Sequence, residues 1–118
     1  MPYLNLDDGF SEHRKVDGLS HGAFRLHVSG LCYCARELTD GYVLKGRVSR
    51  LMPDYKASYL AELMDALMWL PSKGGYAIHD YLEWNKSREW WEAEKARKAK
   101  NKADWIARNR PEGQEQNQ

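Results

Sequence analysis

A proline-containing break between two short helical patterns restricts the fold more than any other feature of the sequence. Residues 47–51 are expected to form a short helix, and Met52-Pro53-Asp54 ends it, because proline disfavours helical backbone in the residue before it. Asp54 is placed to cap a second helix, predicted over residues 55–67. Its apolar residues recur at i, i+3, i+4 and i+7, namely Leu60, Leu63, Met64 and Leu67. The linker of three or four residues has the length of the turn in a helix-turn-helix unit.

A longer helix and a short strand precede this pair. The pattern predicts a helix over residues 20–38, with Ser20 as its N-cap and Thr39-Asp40-Gly41 as its end. Its apolar stripe consists of Phe24, Val28, Leu31, Ala35 and Leu38. The apolar run Tyr42-Val43-Leu44 is typical of a strand.

A hairpin and a last helix follow the pair. Residues 68–70 and 76–78 flank a five-residue turn that contains two glycines, and this arrangement predicts a β-hairpin. The final helix is expected from Lys86 to Asn109, because Glu, Ala, Lys and Arg dominate there. At the amino terminus we expect a short edge strand at residues 3–6 and one or two helical turns, capped by Ser11, up to Val16.

The order of these elements predicts a fold. They match a winged helix-turn-helix, a fold that is mainly α with a small β wing. Its order is helix, short strand, short helix, tight turn, helix and two-stranded ribbon. We expect this domain to span residues 1–85, a long basic helix to span residues 86–110, and a disordered polar tail to span residues 111–118. The second helix of the pair would then enter a major groove about 12 Å wide.

Four segments resemble the amino-terminal region of phage and prophage replication-initiation proteins, the replisome organisers of actinobacterial phages and their winged-helix relatives. The segments are YLNLD at 3–7, LSHGAFRL at 19–26, LTDG at 38–41 and GYAIHDYLEWN at 75–85. The resemblance covers roughly residues 3–100. It implies a winged-helix DNA-binding fold with a role in phage replication initiation or gene control, and it implies no catalytic residue. Longer members continue into a partner-binding or helicase-loading domain, to which we expect no counterpart here, so DNA binding is the property that the resemblance implies.

Length and charge narrow the class of protein further. A chain of 118 residues builds one small core. No apolar run approaches the roughly 20 residues of a membrane span, and the amino terminus has no signal-peptide pattern. We therefore expect a cytoplasmic protein without membrane contact, associated with the nucleoid of a bacterial host.

Charge is distributed unevenly along the chain. Residues 1–85 contain nine Lys and Arg against eleven Asp and Glu, whereas residues 86–110 contain nine Lys and Arg against four Asp and Glu. The positive charge that favours an anionic partner is thus concentrated late in the chain.

The candidate DNA contacts of the winged-helix domain come from three segments. Recognition helices insert their amino-terminal part, the preceding short helix can hold phosphates without reading sequence, and a hairpin tip can touch the flanking backbone. The expected contact residues are Tyr55, Lys56, Ser58 and Tyr59 on the recognition helix, Lys45, Arg47 and Arg50 at the short helix, and Lys73 at the hairpin tip. For the recognition helix, a solvated helix face without a ligand is the alternative.

The last helix carries a second set of candidate contacts. Lys95, Lys98 and Lys102 are expected to neutralise further phosphates. Trp84, Trp91, Lys95 and Lys98 lie on approximately one side of the helix. In one interpretation the tryptophans at 84, 90 and 91 anchor the helix to the winged-helix domain, and its distal half forms a basic arm. The alternatives are a solvated helix stabilised by Glu–Lys pairs and a homodimer formed through exposed tryptophans.

The residues that carry most enzymatic chemistry form no recognisable site in the sequence. The four histidines lack the i, i+4 spacing of a zinc helix, and Cys32 and Cys34 lie two apart in a predicted helix, where side chains diverge by about 200°. His79-Asp80 has no accompanying nucleophile or phosphate loop. We therefore expect no enzyme, no metal and no cofactor.

Two functions follow from these observations. The first is a phage-type winged-helix protein that binds double-stranded DNA in replication initiation or gene regulation. The second is a protein-interaction module of the same fold that binds a replication, transcription or host protein and has little affinity for DNA, because the body carries a net charge of −2 over residues 1–85.

Overall fold

The structure, a computed structural model, describes residues 3–109, apart from the side chain of Trp84. The described residues form two compact units that divide between Arg88 and Glu89, and each unit is described by itself. The polar tail predicted at residues 111–118 lies outside the described residues. Within residues 3–109, every helix is too short or too polar to cross a membrane.

The first unit is mainly helical and contains one small sheet. Its helices are a 3-10 helix at Phe10–Glu12, α1 at Arg14–Asp17, α2 at His21–Glu37, a 3-10 helix at Lys45–Arg50, α3 at Ala57–Asp65 and α4 at Tyr81–Trp84. Its strands are β1 at Tyr42–Leu44, β2 at Trp69–Ser72 and β3 at Gly75–Ile78. The sheet is antiparallel in the order β1–β3–β2, with Val43 opposite Tyr76 and Leu70 opposite Ala77. The predicted combination of a mainly α fold and a small β element is confirmed.

Helix α2 begins where the sequence predicts. The Ser20 hydroxyl accepts a hydrogen bond from the Ala23 backbone N–H at 3.2 Å, so Ser20 is the N-cap. The helix ends at Leu38, whose φ of +52° is left-handed. The buried side differs from the predicted stripe, because its centre is formed by Ala23, Leu26, Gly30 and Cys34. Of the predicted residues, Phe24, Val28 and Leu38 are only half-buried.

Trp69 explains this rotation of the buried side. Its fully buried indole lies against Gly30, where an added Cβ would be 2.4 Å from Cζ2 of the ring. The indole Nε1–H donates a hydrogen bond to Nδ1 of His27 at 3.0 Å. A glycine and a histidine of α2 therefore form the surface on which the first residue of β2 packs.

Helix α3 is shorter than the predicted helix over residues 55–67. Lys56 is its N-cap and makes no side-chain capping hydrogen bond, while Asp54, the predicted cap, has a left-handed φ of +56°. The helix stops after Asp65 because Leu67 is also left-handed, with a φ of +58°. Leu67 consequently leaves the apolar stripe and is 60% exposed, whereas Leu63 is fully buried.

The hairpin turn has two residues, not the predicted five. Strand β2 continues through Pro71 to Ser72, and β3 starts at Gly75, so only Lys73 and Gly74 form the turn. Pro71 is accommodated because β2 is an edge strand, where a missing N–H costs no ladder hydrogen bond. Gly74 has a φ of +79°, a conformation that glycine adopts without strain.

The amino-terminal predictions are wrong in detail. Residues 3–6 form no strand, and the Asn5 backbone N–H instead donates to Oδ1 of the buried Asn85 at 2.7 Å. A side-chain amide thus satisfies a backbone donor that a sheet ladder was expected to satisfy. The cap of α1 is His13, whose Nδ1 accepts from the Lys15 N–H, and Ser11 lies inside the preceding 3-10 helix.

The long carboxy-terminal helix, α5, spans Arg88–Arg108, which is two residues shorter at its start than the predicted basic helix over 86–110. It has no buried residue within its bounds. In the first unit, Oδ1 of Asp40 accepts a hydrogen bond from the backbone N–H of Arg88 at 2.7 Å. A carboxylate at the first residue of a helix satisfies a backbone donor that has no partner within the helix.

Candidate nucleic-acid interface

The hairpin turn and the start of the helix-turn-helix region are joined by their backbones. The Lys45 N–H donates to the carbonyl of Gly74 at 3.0 Å, and the Tyr42 hydroxyl donates to the carbonyl of Lys73. Lys45 and Lys73, both exposed and 28 positions apart in the sequence, are therefore neighbours in the fold. The structure thus brings together two of the predicted cationic contacts, one from the short helix and one from the hairpin tip.

The other two cations of the short helix face α2. Arg47 is half-buried, and its guanidinium carbon lies 5.3 Å from the ring centroid of Tyr33. Arg47, Arg50 and Arg36 line a cavity of about 220 Å³ together with Val28, Ser29, Cys32 and Leu51. We name the set Arg36, Arg47 and Arg50 the arginine groove. The predicted phosphate contacts Arg47 and Arg50 lie in it, and it adds a third arginine from another element.

Arg36 is the functional candidate that the sequence did not reveal. It lies on α2, and its guanidinium carbon is 6.0 Å from the centroid of the same Tyr33 ring. The i, i+3 spacing of Tyr33 and Arg36 is a signal that places them on one helix face. The neighbourhood of Arg47, however, depends on how the 3-10 helix packs on α2.

Two of the four predicted contacts at α3 are exposed. Lys56 and Ser58 are exposed, whereas Tyr55 and Tyr59 are half-buried and pack against the core. The Tyr59 ring covers Gly22 so closely that an added Cβ there would be 2.1 Å from the ring carbon Cζ. Burial, followed by repulsion from Tyr76, raises the pKa of Tyr55. The two tyrosines therefore act mainly to seat α3 on the body of the unit.

A carboxylate fixes the same helix to the start of α2. The Ser20 hydroxyl donates to Oε2 of Glu62 at 2.6 Å, and the Ser20 N–H donates to Oε1 at 2.9 Å. These two hydrogen bonds lower the pKa of Glu62. Tyr59 and Glu62 thus hold one side of α3 against α2.

The accessible side of α3 carries short side chains. Its exposed residues are Ala57, Ser58, Ala61 and Asp65, and Lys56 precedes them at the N-cap. Short side chains allow another molecule to approach the helix backbone closely. The positive charge lies at the amino-terminal end and Asp65 lies at the other, so an anion is favoured at the beginning of the helix.

Helix α5 combines lysines and tryptophans at one spacing. Trp91, Lys95, Lys98, Lys102 and Trp105 recur at intervals of four, three, four and three, which places them along one side of the helix. All of them except the half-buried Trp91 are exposed. Arg97 instead donates to Glu94, with its Nε 3.2 Å from Oε2, and this bond lowers the pKa of the Glu94 carboxyl. The side chain of Trp84 lies outside the described part of the chain.

The histidines and cysteines of the first unit differ in burial and in pKa. Among the described residues, no group of three or more His, Cys, Asp or Glu side chains could hold a metal ion. His27 lines a cavity of about 330 Å³, and burial lowers its pKa to about 4, so the ring is neutral. Burial raises the pKa of Cys34 to about 11, and Cys32 is exposed. Nε2 of His79 lies 3.2 Å from Oδ2 of Asp80, both on exposed side chains.

No protein-family model, curated protein or solved structure matches the chain. The resemblance to phage replication-initiation proteins therefore stays a prediction.

Proposed function

We propose that the first unit is a winged helix-turn-helix that binds double-stranded DNA. The three helices of the proposed motif are α2, the 3-10 helix at Lys45–Arg50 and α3, and its wing consists of β2 and β3. The observation that carries the proposal is the hydrogen bond between the Lys45 N–H and the Gly74 carbonyl, which joins the start of the helix-turn-helix to the wing tip. The backbones at Lys45 and Lys73 thereby lie close together, and we infer that both lysines contact one phosphate backbone.

Each segment has a separate role in the proposed complex. The amino-terminal end of α3 enters the major groove, with Lys56 on a phosphate and the Ser58 hydroxyl within reach of base edges. Lys45, Arg47 and Arg50 hold phosphates of the adjoining backbone, and these contacts set the position of the protein without reading sequence. Lys73 touches the backbone from the wing tip.

The lysines of α5, which belong to the second unit, are a separate set of proposed phosphate contacts. Lys95, Lys98 and Lys102 are exposed on the side of the helix that also carries Trp105. Each phosphate that they neutralise releases counterions and steepens the dependence of log K on log salt by about 0.9. Aromatic side chains among the lysines offer surfaces for unstacked bases, so this helix is suited to a DNA site that opens during replication.

The biological context of the proposal comes from the resemblance alone. It suggests replication initiation or gene regulation in a phage, within the cytoplasm and nucleoid of a bacterial host. The proposed function is binding, without catalysis and without a cofactor.

A protein-interaction module is the second candidate, and two observations favour it. Residues 1–85 carry a net charge of −2, which weakens attraction to DNA as a whole. In α5, Trp90 and Trp105 are 40% and 58% exposed, and exposed aromatic side chains are common where proteins associate, including in homodimers. In this alternative the same fold binds a replication or host protein.

A salt-dependent DNA titration distinguishes the two candidates. Lys56→Ala and the control Lys15→Ala change the net charge equally, but Lys15 lies on α1, outside the proposed interface. We expect the wild-type chain to bind a fluorescein-labelled duplex, and Lys56→Ala to reduce the salt slope by about 0.9 while Lys15→Ala leaves it unchanged. Absence of binding at low salt would contradict DNA binding and favour the interaction module.

A further inference from the structure

Three arginines that line one cavity are an arrangement of like charges that needs an explanation. Arg36 comes from α2, Arg47 and Arg50 come from the 3-10 helix, and the other lining residues are Val28, Ser29, Cys32 and Leu51. None of these seven lining residues is acidic. Repulsion between neighbouring guanidinium groups is relieved when an anion lies between them.

Within residues 3–109, Glu37 is the one acidic residue that pairs with an arginine of the groove, and it does not supply that anion. Nε of Arg36 lies 3.5 Å from Oε1 of Glu37, and both side chains are about half exposed, at 60% and 48%. An ion pair of this kind at the surface contributes little, because water and salt screen it. Glu37 also follows Arg36 directly in the chain and does not line the cavity.

A buried aromatic ring holds two of the three guanidinium groups. Tyr33 is 7% exposed and belongs to the hydrophobic core, so its ring is a fixed support. The guanidinium carbons of Arg47 and Arg36 lie 5.3 Å and 6.0 Å from its centroid, within the range of cation–π interaction. Support of this kind lowers the entropy that the arginines lose when they bind a ligand.

From these observations we propose that the arginine groove is a binding site for a phosphate group. Planar guanidinium groups present pairs of N–H donors that match the oxygens of a phosphate, and the Ser29 hydroxyl is a further donor in the lining. In the proposed complex this phosphate belongs to the DNA backbone, and to that extent the inference rests on the proposed function. A free phosphate has the same chemistry, and the experiment separates the two sources.

The first arm measures DNA binding by the full-length chain with Arg36→Ala, Arg36→Lys and Arg25→Ala. Arg25 is an exposed arginine of α2 that does not line the groove, so its replacement is a matched control. We expect Arg36→Ala to weaken binding roughly tenfold or more and to lower the salt slope by about 0.9. Arg36→Lys should retain the slope and recover only part of the affinity, because lysine keeps the charge but has no planar fork. Thermal melting followed by circular dichroism checks that each variant is folded.

The second arm uses inorganic phosphate and needs no DNA. Phosphate is titrated while the Nε–Hε resonances of the arginines are followed by NMR. Saturable shifts at Arg36, Arg47 and Arg50, with no such shift at Arg25, support the site. Saturation in a chain that does not bind DNA would support a site for free phosphate and refute the DNA source. Equal, non-saturating shifts at all four arginines would overturn the inference, as would equal losses of DNA affinity in Arg36→Ala and Arg25→Ala.

Discussion

Replacing Gly30 with alanine tests the contact that packs α2 against the sheet. The added methyl group would lie 2.4 Å from Cζ2 and 2.8 Å from Cη2 of Trp69, far inside van der Waals contact. The indole is fully buried, so the ring has no free space into which it can move. Displacing it also strains the hydrogen bond from Nε1 to His27.

The magnitude follows from three contributions to the free energy of unfolding. Overpacking of this kind costs about 1–3 kcal/mol, and a weakened buried hydrogen bond costs about 1 kcal/mol. Alanine favours the helix over glycine by about 1 kcal/mol, which offsets the hydrogen bond. We expect Gly30→Ala to be about 1–3 kcal/mol less stable than the wild type, and each kcal/mol lowers Tm by about 4–8 °C in a unit of this size.

The assay is thermal and urea unfolding, followed by circular dichroism and tryptophan fluorescence. Gly46→Ala is the matched control, because an added Cβ there has no heavy atom within 4 Å outside its chain neighbours and the backbone of its own helix. We expect the control to be neutral or slightly stabilised. Trp69→Phe should recover part of the loss in the double variant, since the smaller ring leaves room for the methyl group. Equal stability of Gly30→Ala and the wild type would refute the packing of Trp69 on α2.

Three other predictions concern titration, capping and thiol accessibility. Because burial lowers the pKa of His27 from 6.5 to about 4, the unfolded chain takes up a proton between these values that the folded chain does not. The unfolding free energy should therefore fall by up to about 3 kcal/mol from pH 7 to pH 4. Urea unfolding of His27→Gln over the same pH range should show a decrease that is smaller by this amount. Ser20→Ala should lose about 1 kcal/mol or more in urea unfolding, since it removes the N-cap and a hydrogen bond to α3, whereas Ser11→Ala should lose little; equal losses would contradict the assigned caps. One thiol, Cys32, should react rapidly with a disulfide reagent in the folded chain, and Cys34 only after unfolding; rapid reaction of both would contradict the burial of Cys34.

The sequence was sufficient to predict the structural elements that depend on residues close together in the chain. Ser20 as the N-cap, β1 and the long last helix follow from local chemistry that operates within a few residues. The buried side of α2 was not predictable in the same way, because periodicity analysis counts large apolar residues. Gly30 and Cys34 are small, and their burial depends on Trp69, which arrives 39 positions after Gly30.

The ends of α3 and the hairpin turn show the same limit. Asp54 has a side chain that commonly caps helices, yet its left-handed backbone places the cap at Lys56. Pro71 is normally read as a turn residue, and only the position of β2 at the sheet edge makes it acceptable in a strand. Both features are set by tertiary position and not by residue preference.

Some residues of the candidate site could be predicted from the sequence, and others could be found only from the structure. The cationic residues at 45–50, 56 and 73 can be selected from charge and element order. The proximity of Lys45 to Lys73 and the addition of Arg36 to the groove require the folded chain, because backbone pairing and the Tyr33 ring create them.

The salt dependence of duplex DNA binding by the wild-type chain tests the central claim most directly. Six cations of the first unit are proposed to contact phosphates: Arg36, Lys45, Arg47, Arg50, Lys56 and Lys73. Fluorescence anisotropy over a series of salt concentrations should then give a slope of log K against log salt of about −5, or steeper where α5 contributes. A slope near zero, or no binding at the lowest salt concentration, would contradict the account.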